Sequence, residues 1–220
     1  MRAAIELADA EGPEAISMRR IAGRLGVGAM TLYGYVADRD ALLAHMIDEV
    51  VAEMGEPGRP SGSWRADLEL LARRFRDLNI RHAWLPAEMG TTPFVISARL
   101  VAWADFILAA LDLPGIGIET AGAVLRAVNN YVVGMSLREA TESRSAGLRD
   151  AGYQAAVASY LRQLAANDRY PHMGKLALAV AEGRDLSAEQ SFELGLTCLL
   201  EGIGALIARA KTHSHPRSAQ

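Results

Sequence analysis

The stretch from residue 17 to residue 39, SMRRIAGRLGVGAMTLYGYVADR, decides the fold. Ser17 stands where an N-cap belongs, ahead of a helix over about 18–24, because its hydroxyl can accept from the free N–H groups of a first turn. Gly26 occupies the tight turn that follows, where positive φ is cheap for glycine alone. A third helix then runs over about 28–34. Two short helices joined this way form a helix-turn-helix, whose second helix can enter the major groove of DNA. Ile21, Ala22, Leu25, Val27, Leu32 and Val36 have the spacing of a small core that holds the pair together.

Gly28, Ala29, Met30 and Thr31 open the third helix, the positions that face base edges in this geometry. Thr31 can hydrogen-bond a base or touch a thymine methyl. Met30 offers apolar contact, and Gly28 and Ala29 permit close approach. With so few bidentate side chains, direct readout is modest and DNA shape carries part of the specificity. Tyr33 and Tyr35, one residue apart and followed by Arg39, suit phosphate contacts through their hydroxyls. Ser17 and Arg19 begin the second helix, whose free N–H groups also favour phosphate. Arg20 and Arg24 fit phosphate contact and plain solvation equally well.

The chain has 220 residues, half of them hydrophobic, and a net charge of −3. That is enough for a substantial core in one or two domains. The acidic balance at first looks wrong for a nucleic-acid binder. The first 54 residues hold five Arg against nine Asp or Glu, while 17–39 holds four Arg against Asp38 alone. Screening beyond about 10 Å makes the nearer charges count most. A lone Cys198 excludes an internal disulfide and suits a reducing cytoplasm. No signal-peptide pattern and no apolar run long enough to cross a bilayer is read, so no membrane partner is expected.

Helical periodicity dominates the whole chain, and nothing alternates with period two over a useful length. The first helix covers about 2–11, and Gly12-Pro13 stops it. Asp38 caps a fourth helix over about 39–54. The Gly/Pro/Ser segment 56–63 is the domain boundary, separating a DNA-binding domain (1–54) from a larger helical domain (63–212). The helices there are expected at 64–82, 94–112, 118–142, 152–167 and 188–210, the last opened by a Ser187–Gln190 capping box. Residues 168–186 are short helix or loop, and 213–220 form a disordered tail. The fold class is all-α: a three-helix DNA-binding head and a C-terminal bundle.

The pattern Ser-x-Arg-x-hydrophobic-Ala, then Leu-Gly-Val, then Thr-Leu-Tyr-x-Tyr-Val-x-x-Arg-x-x-Leu resembles the TetR family of bacterial transcriptional regulators. Ser17 replaces the usual Thr and keeps the hydroxyl; Thr31, Leu32, Tyr33, Tyr35, Val36, Arg39 and Leu42-Leu43 match. Residues 75–85, 102–111 and 127–140 are similar, more weakly, to the C-terminal domain of tetracycline-repressor-like members. The resemblance implies a homodimer joined by two helices per subunit, here 118–142 and 188–210. Gly134, Gly195, Gly202 and Gly204 suit close helix approach there, or ordinary bundle packing. It also implies a double-stranded operator, palindromic to match the dimer, and a small-molecule effector. Family members carry a basic arm before the first helix. Here the sequence starts at Met1 almost inside that helix, with only Arg2 as a basic residue, so either the start lies upstream or minor-groove contacts by an arm are absent.

An effector pocket needs polar or aromatic groups on inward helix faces. Phe75, Asn79 and His82 lie on one helix, Trp103 and Phe106 share a face of the next, and Asn129 interrupts an apolar stretch. The resemblance places His82, Trp103, Leu125 and Asn129 at the effector site. Each has a plainer reading: Phe75, Trp103 and Phe106 as core, His82 as a helix C-terminal cation, and Asn129 as a dimer contact. The expected ligand is of moderate size and largely apolar. No recognisable ligand set calls for magnesium, and no cofactor is expected. Repressor and activator use the same contacts, so the sign of control stays open. Catalysis is not expected: no phosphate loop, metal spacing or nucleophile elbow occurs. Cys198 sits among Leu196, Leu199 and Leu200 like a buried thiol, and His213 and His215 belong to the tail.

Overall fold

A computed structural model describes residues 1–91, 97–146, 150–166 and 169–213. Every regular element among them is helical. α1 (Arg2–Glu11) turns Ala4, Ile5, Leu7 and Ala8 inward. A 3-10 turn at Pro13–Ala15 leads to α2 (Met18–Leu25). Ser17 caps α2, its Oγ accepting from the Arg20 N–H at 3.3 Å. Gly26 follows with φ 68°, the left-handed conformation that would strain any other residue. α3 (Ala29–Tyr33) is a turn and a half of helix that fully buries none of its residues. Asp38 caps α4 (Arg39–Val51), accepting from the Ala41 N–H at 2.8 Å.

The core of the head is narrower than its sequence spacing suggests. Ile21, Ala22 and Val36 are buried, but Leu25 is 51% and Val27 41% exposed. Both flank the Gly26 turn. α4 supplies what the short helices lack: Leu42, Leu43, Met46, Ile47, Val50 and Val51 are all buried. Each such side chain contributes about 1.5–3 kcal/mol relative to exposure.

A 3-10 turn at Ala52–Met54 continues α4 into the linker. The linker is tied down: Asp67, itself buried, accepts from the Ser61 N–H at 3.1 and 3.2 Å. Ser63 caps α5 (Trp64–Arg81). α6 (Leu85–Thr91) was not expected, because Pro86 reads as a helix stop. It falls in the first turn, where a missing N–H costs nothing. α7 (Ala98–Ala110) starts later than the periodicity suggests, at the Ser97 cap; the expected residues 94–96 lie outside the described part. α8 (Ile118–Ala146) and α11 (Ala188–His213) are the two long helices. The Ser187–Gln190 capping box is present, with N–H···O distances of 2.9 and 3.1 Å.

The chain divides into two compact units, Met1–Arg138 with Leu196–Gln220, and Glu139–Gly195. The first therefore holds the head together with most of the bundle. The second contains α9 (Ala151–Ala165) and α10 (Pro171–Ala181), so the segment read as short helix or loop carries a real helix. Gly174 lets the two helices meet: a Cβ there would lie 3.2 Å from the Ala165 carbonyl oxygen. The expected tail beyond 213 lies outside the described residues.

Candidate functional site

The recognition end of the head is built to be bare. Met30 is 80% and Tyr35 83% exposed, and Tyr33, Gly28 and Thr31 are exposed beside them. Gly28 caps α3 through backbone geometry alone, so no side chain crowds the start of that helix. Large apolar and aromatic groups kept in water at a helix start are what a groove-reading surface requires.

The arginines around this end are not equivalent. Arg20 pairs with Glu11, and Arg24 lies 4.0 Å from Glu6. Arg39 points back into the molecule: its Nε donates to the Ile16 carbonyl at 3.2 Å and its Nη2 to Glu88 at 2.9 Å. Arg19 is exposed and, among the described residues, makes no ion pair. The local positive charge read from 17–39 is therefore largely matched within the chain.

Three of the polar fastenings that join the head to the bundle link elements far apart in sequence. Arg39–Glu88 is one. At the second, His82 is set between two carboxylates, Nδ1 to Asp9 at 2.8 Å and Nε2 to Glu53 at 3.1 Å. The indole N–H of buried Trp84 donates to the same Asp9 at 2.8 Å. At the third, Asp48 of α4 accepts from the Ser97 hydroxyl at 2.5 Å and the Arg99 N–H at 3.2 Å, and pairs with the Arg99 guanidinium. The Ser97 hydrogen bond, reinforced by Arg99, holds the Asp48 carboxyl below its ordinary pKa despite the opposing effect of burial.

Between α5, α7 and α8 lies a largely apolar cavity of about 220 Å³. Of the residues expected at an effector site, Phe75, Trp103, Leu125 and Asn129 line it. Phe106 is buried behind the wall, edge-on to Trp103 with ring centroids 5.6 Å apart. Asn79 is buried one turn beyond Phe75, donating from Nδ2 to Ser136 at 3.3 Å while its Oδ1 has no partner among the described residues. His82 takes no part in the lining and faces Asp9 and Glu53 instead. Met54, Leu71, Met89, Leu100, Ala104 and Arg126 also line the wall without having been anticipated. Arg126 was legible: it is a charge in an apolar stretch, three residues from Asn129 on one helix face. Met54 and Met89 leave no such signal, since a lone Met is ordinary core.

α8 has a second face. Thr120, Ala123 and Ala127 line an open apolar groove with Cys198, Leu199 and Gly202 of α11. Cys198 is thus exposed rather than buried among its leucines, because no described residue covers its side of α11. The same helix corrects the reading of membrane length. The helix at 188–212 contains an 18-residue stretch long and apolar enough to span a bilayer, yet only 28% of that stretch is buried. A single such helix is weak ground for a membrane protein.

The sequence of the head matches the family model described as bacterial regulatory proteins, tetR family, over residues 1–46. Residues 56–207 match the tetracyclin repressor-like C-terminal domain. The chain belongs to the TetR family. This regulator is 33% identical to the HTH-type transcriptional repressor DrrR1 of Streptomyces coeruleorubidus, over 98% of this chain and 80% of that one. It is 25% identical to the class D tetracycline repressor protein of Escherichia coli, covering 91% and 85%. Among solved structures it resembles ActR of Streptomyces coelicolor in complex with actinorhodin, with TM-score 0.76, 26% identity and coverage of 93% and 94%. The TetR-family regulator is an all-α, ligand-responsive, DNA-binding transcriptional repressor, and its family is one of regulators rather than enzymes.

Proposed function

We propose that this repressor binds a palindromic operator as a homodimer through α8 and α11, and that a small, largely apolar molecule in the 220 Å³ cavity releases it. The observation that carries this reading is the ownership of the cavity wall. Met54 ends the turn that continues α4, and Leu100 and Trp103 belong to α7, whose first turn is fastened to Asp48 of α4. A ligand there presses on the elements that position the head. Release then requires that it bind the non-DNA arrangement more tightly. The exposed groove of α8 and α11 supports the dimer. Among the described residues a Cβ at Gly202 would meet nothing within 4 Å, whereas one at Gly204 would lie 3.6 Å from Trp64 of its own chain.

Thr31, Met30, Ala29 and Gly28 take the base edges, while Ser17, Arg19, Tyr33, Tyr35 and the Arg39 region take the phosphates. Repression in the cytoplasm follows from this role. A thermal-shift screen of hydrophobic and aromatic compounds, run beside an Ala104→Trp variant that fills the cavity, tests the effector half. Compounds that stabilise the wild type but not the variant, and that strip it from DNA, are expected. Equal stabilisation of both proteins would place the effector elsewhere.

A further inference from the structure

We infer that the effector is an acid, carrying a carboxylate or acidic phenol that Arg126 recognises; the inference rests on the cavity being the effector site. Among the described residues Arg126 is the charged group of the lining. Among the described residues it has no hydrogen-bond or ion-pair partner of its own. The neighbouring arginine is committed elsewhere: Arg74 donates to the Met54 carbonyl at 2.8 Å and lies 5.6 Å over the Trp103 ring. Among the described residues no carboxylate lines the cavity. A basic ligand would therefore meet an unopposed like charge. A neutral one would cover part of the guanidinium's hydration and return nothing. An anionic oxygen satisfies it with charge-assisted hydrogen bonds.

Asn129 stands three residues along the same face of α8 and can donate to a second oxygen of the same group. The remaining wall, with Phe75, Trp103 and Leu125, suits a flat apolar body. The acid head thus lies toward Arg126 and Asn129, with the ring system against Trp103.

The experiment uses full-length protein and three matched pairs: benzoate, 2-naphthoate and anthraquinone-2-carboxylate, each with its methyl ester. Quenching of tryptophan fluorescence reads binding, since Trp103 forms part of the wall. The best-fitting acid should bind at least about tenfold more tightly than its ester. Arg126→Gln should abolish that preference by weakening the acid alone, and Arg126→Lys should keep part of it. The exposed position of Arg126 predicts an unchanged melting curve for both variants. Equal binding of acid and ester, or a preference that survives Arg126→Gln, overturns the inference while leaving the cavity reading intact. Failure of every probe to bind the wild type overturns both.

Discussion

Arg39 reaches 49 residues along the chain to Glu88, with Nη2 and Oε1 2.9 Å apart. It joins the start of α4 to α6 and also holds the Ile16 carbonyl just ahead of α2. An arginine expected from sequence at the phosphates also acts, in this geometry, as a brace for the recognition helices. Arg39→Ala and Glu88→Gln should each weaken operator binding by about threefold to tenfold, and each should cost about 0.2–1 kcal/mol of stability, as partly exposed ion pairs do. Titration of labelled operator with both variants separates the roles. Unchanged or tighter binding by Glu88→Gln would assign Arg39 to phosphate and not to bracing.

Tyr35 offers the opposite case, a hydroxyl with 83% of the residue in water. Tyr35→Phe should lose about tenfold in operator affinity, the size of one phosphate hydrogen bond, and leave the melting temperature where it was. A drop in stability without a drop in affinity would show the hydroxyl serving the fold.

Arg20, Arg24 and Arg39 already face carboxylates of their own chain. Operator binding should therefore release few counterions. A plot of log affinity against log salt should be shallower than a basic repressor with about six to ten phosphate contacts would give. Replacing Glu11 with Gln frees Arg20 and should steepen that slope. An unchanged slope would mean that Arg20 already leaves Glu11 for DNA.

Asp48 makes the fastening of α4 to α7 sensitive to acid. Its folded-state pKa is lowered from 3.8, chiefly by the Ser97 hydroxyl, then by Arg99. A depressed carboxyl pKa contributes stability above the unfolded value, and that contribution is lost as pH falls through the folded value. Asp48→Asn should thus destabilise the protein at neutral pH. The gap from wild type should close progressively below about pH 4. Thermal melts from neutral to acid pH measure it, and a gap that stays constant throughout would remove Asp48 from the acid response.

Much of this was legible in the residues because caps and glycines act locally. Ser17, Gly26, Asp38 and the Ser187–Gln190 pair mark helix ends without help from the rest of the chain. What sequence alone did not reveal depends on distant partners. His82 and Arg39 looked like ligand and phosphate residues because their carboxylate partners, Asp9, Glu53 and Glu88, lie tens of residues away. Leu25, Val27 and Cys198 have core-like spacing, but exposure is decided by whether a neighbouring element covers them. Pro86 read as punctuation because its effect depends on which turn it occupies.

The most direct measurement is a mobility shift of the DNA immediately upstream of this protein's own gene, at two salt concentrations, with the bound stoichiometry determined. A dimer that binds this DNA specifically, loses affinity at the higher salt and binds about tenfold more weakly as Tyr35→Phe is the expected result. Binding indistinguishable from that to unrelated DNA, or an unaltered shift by the variant, would contradict the placement of operator recognition on this head.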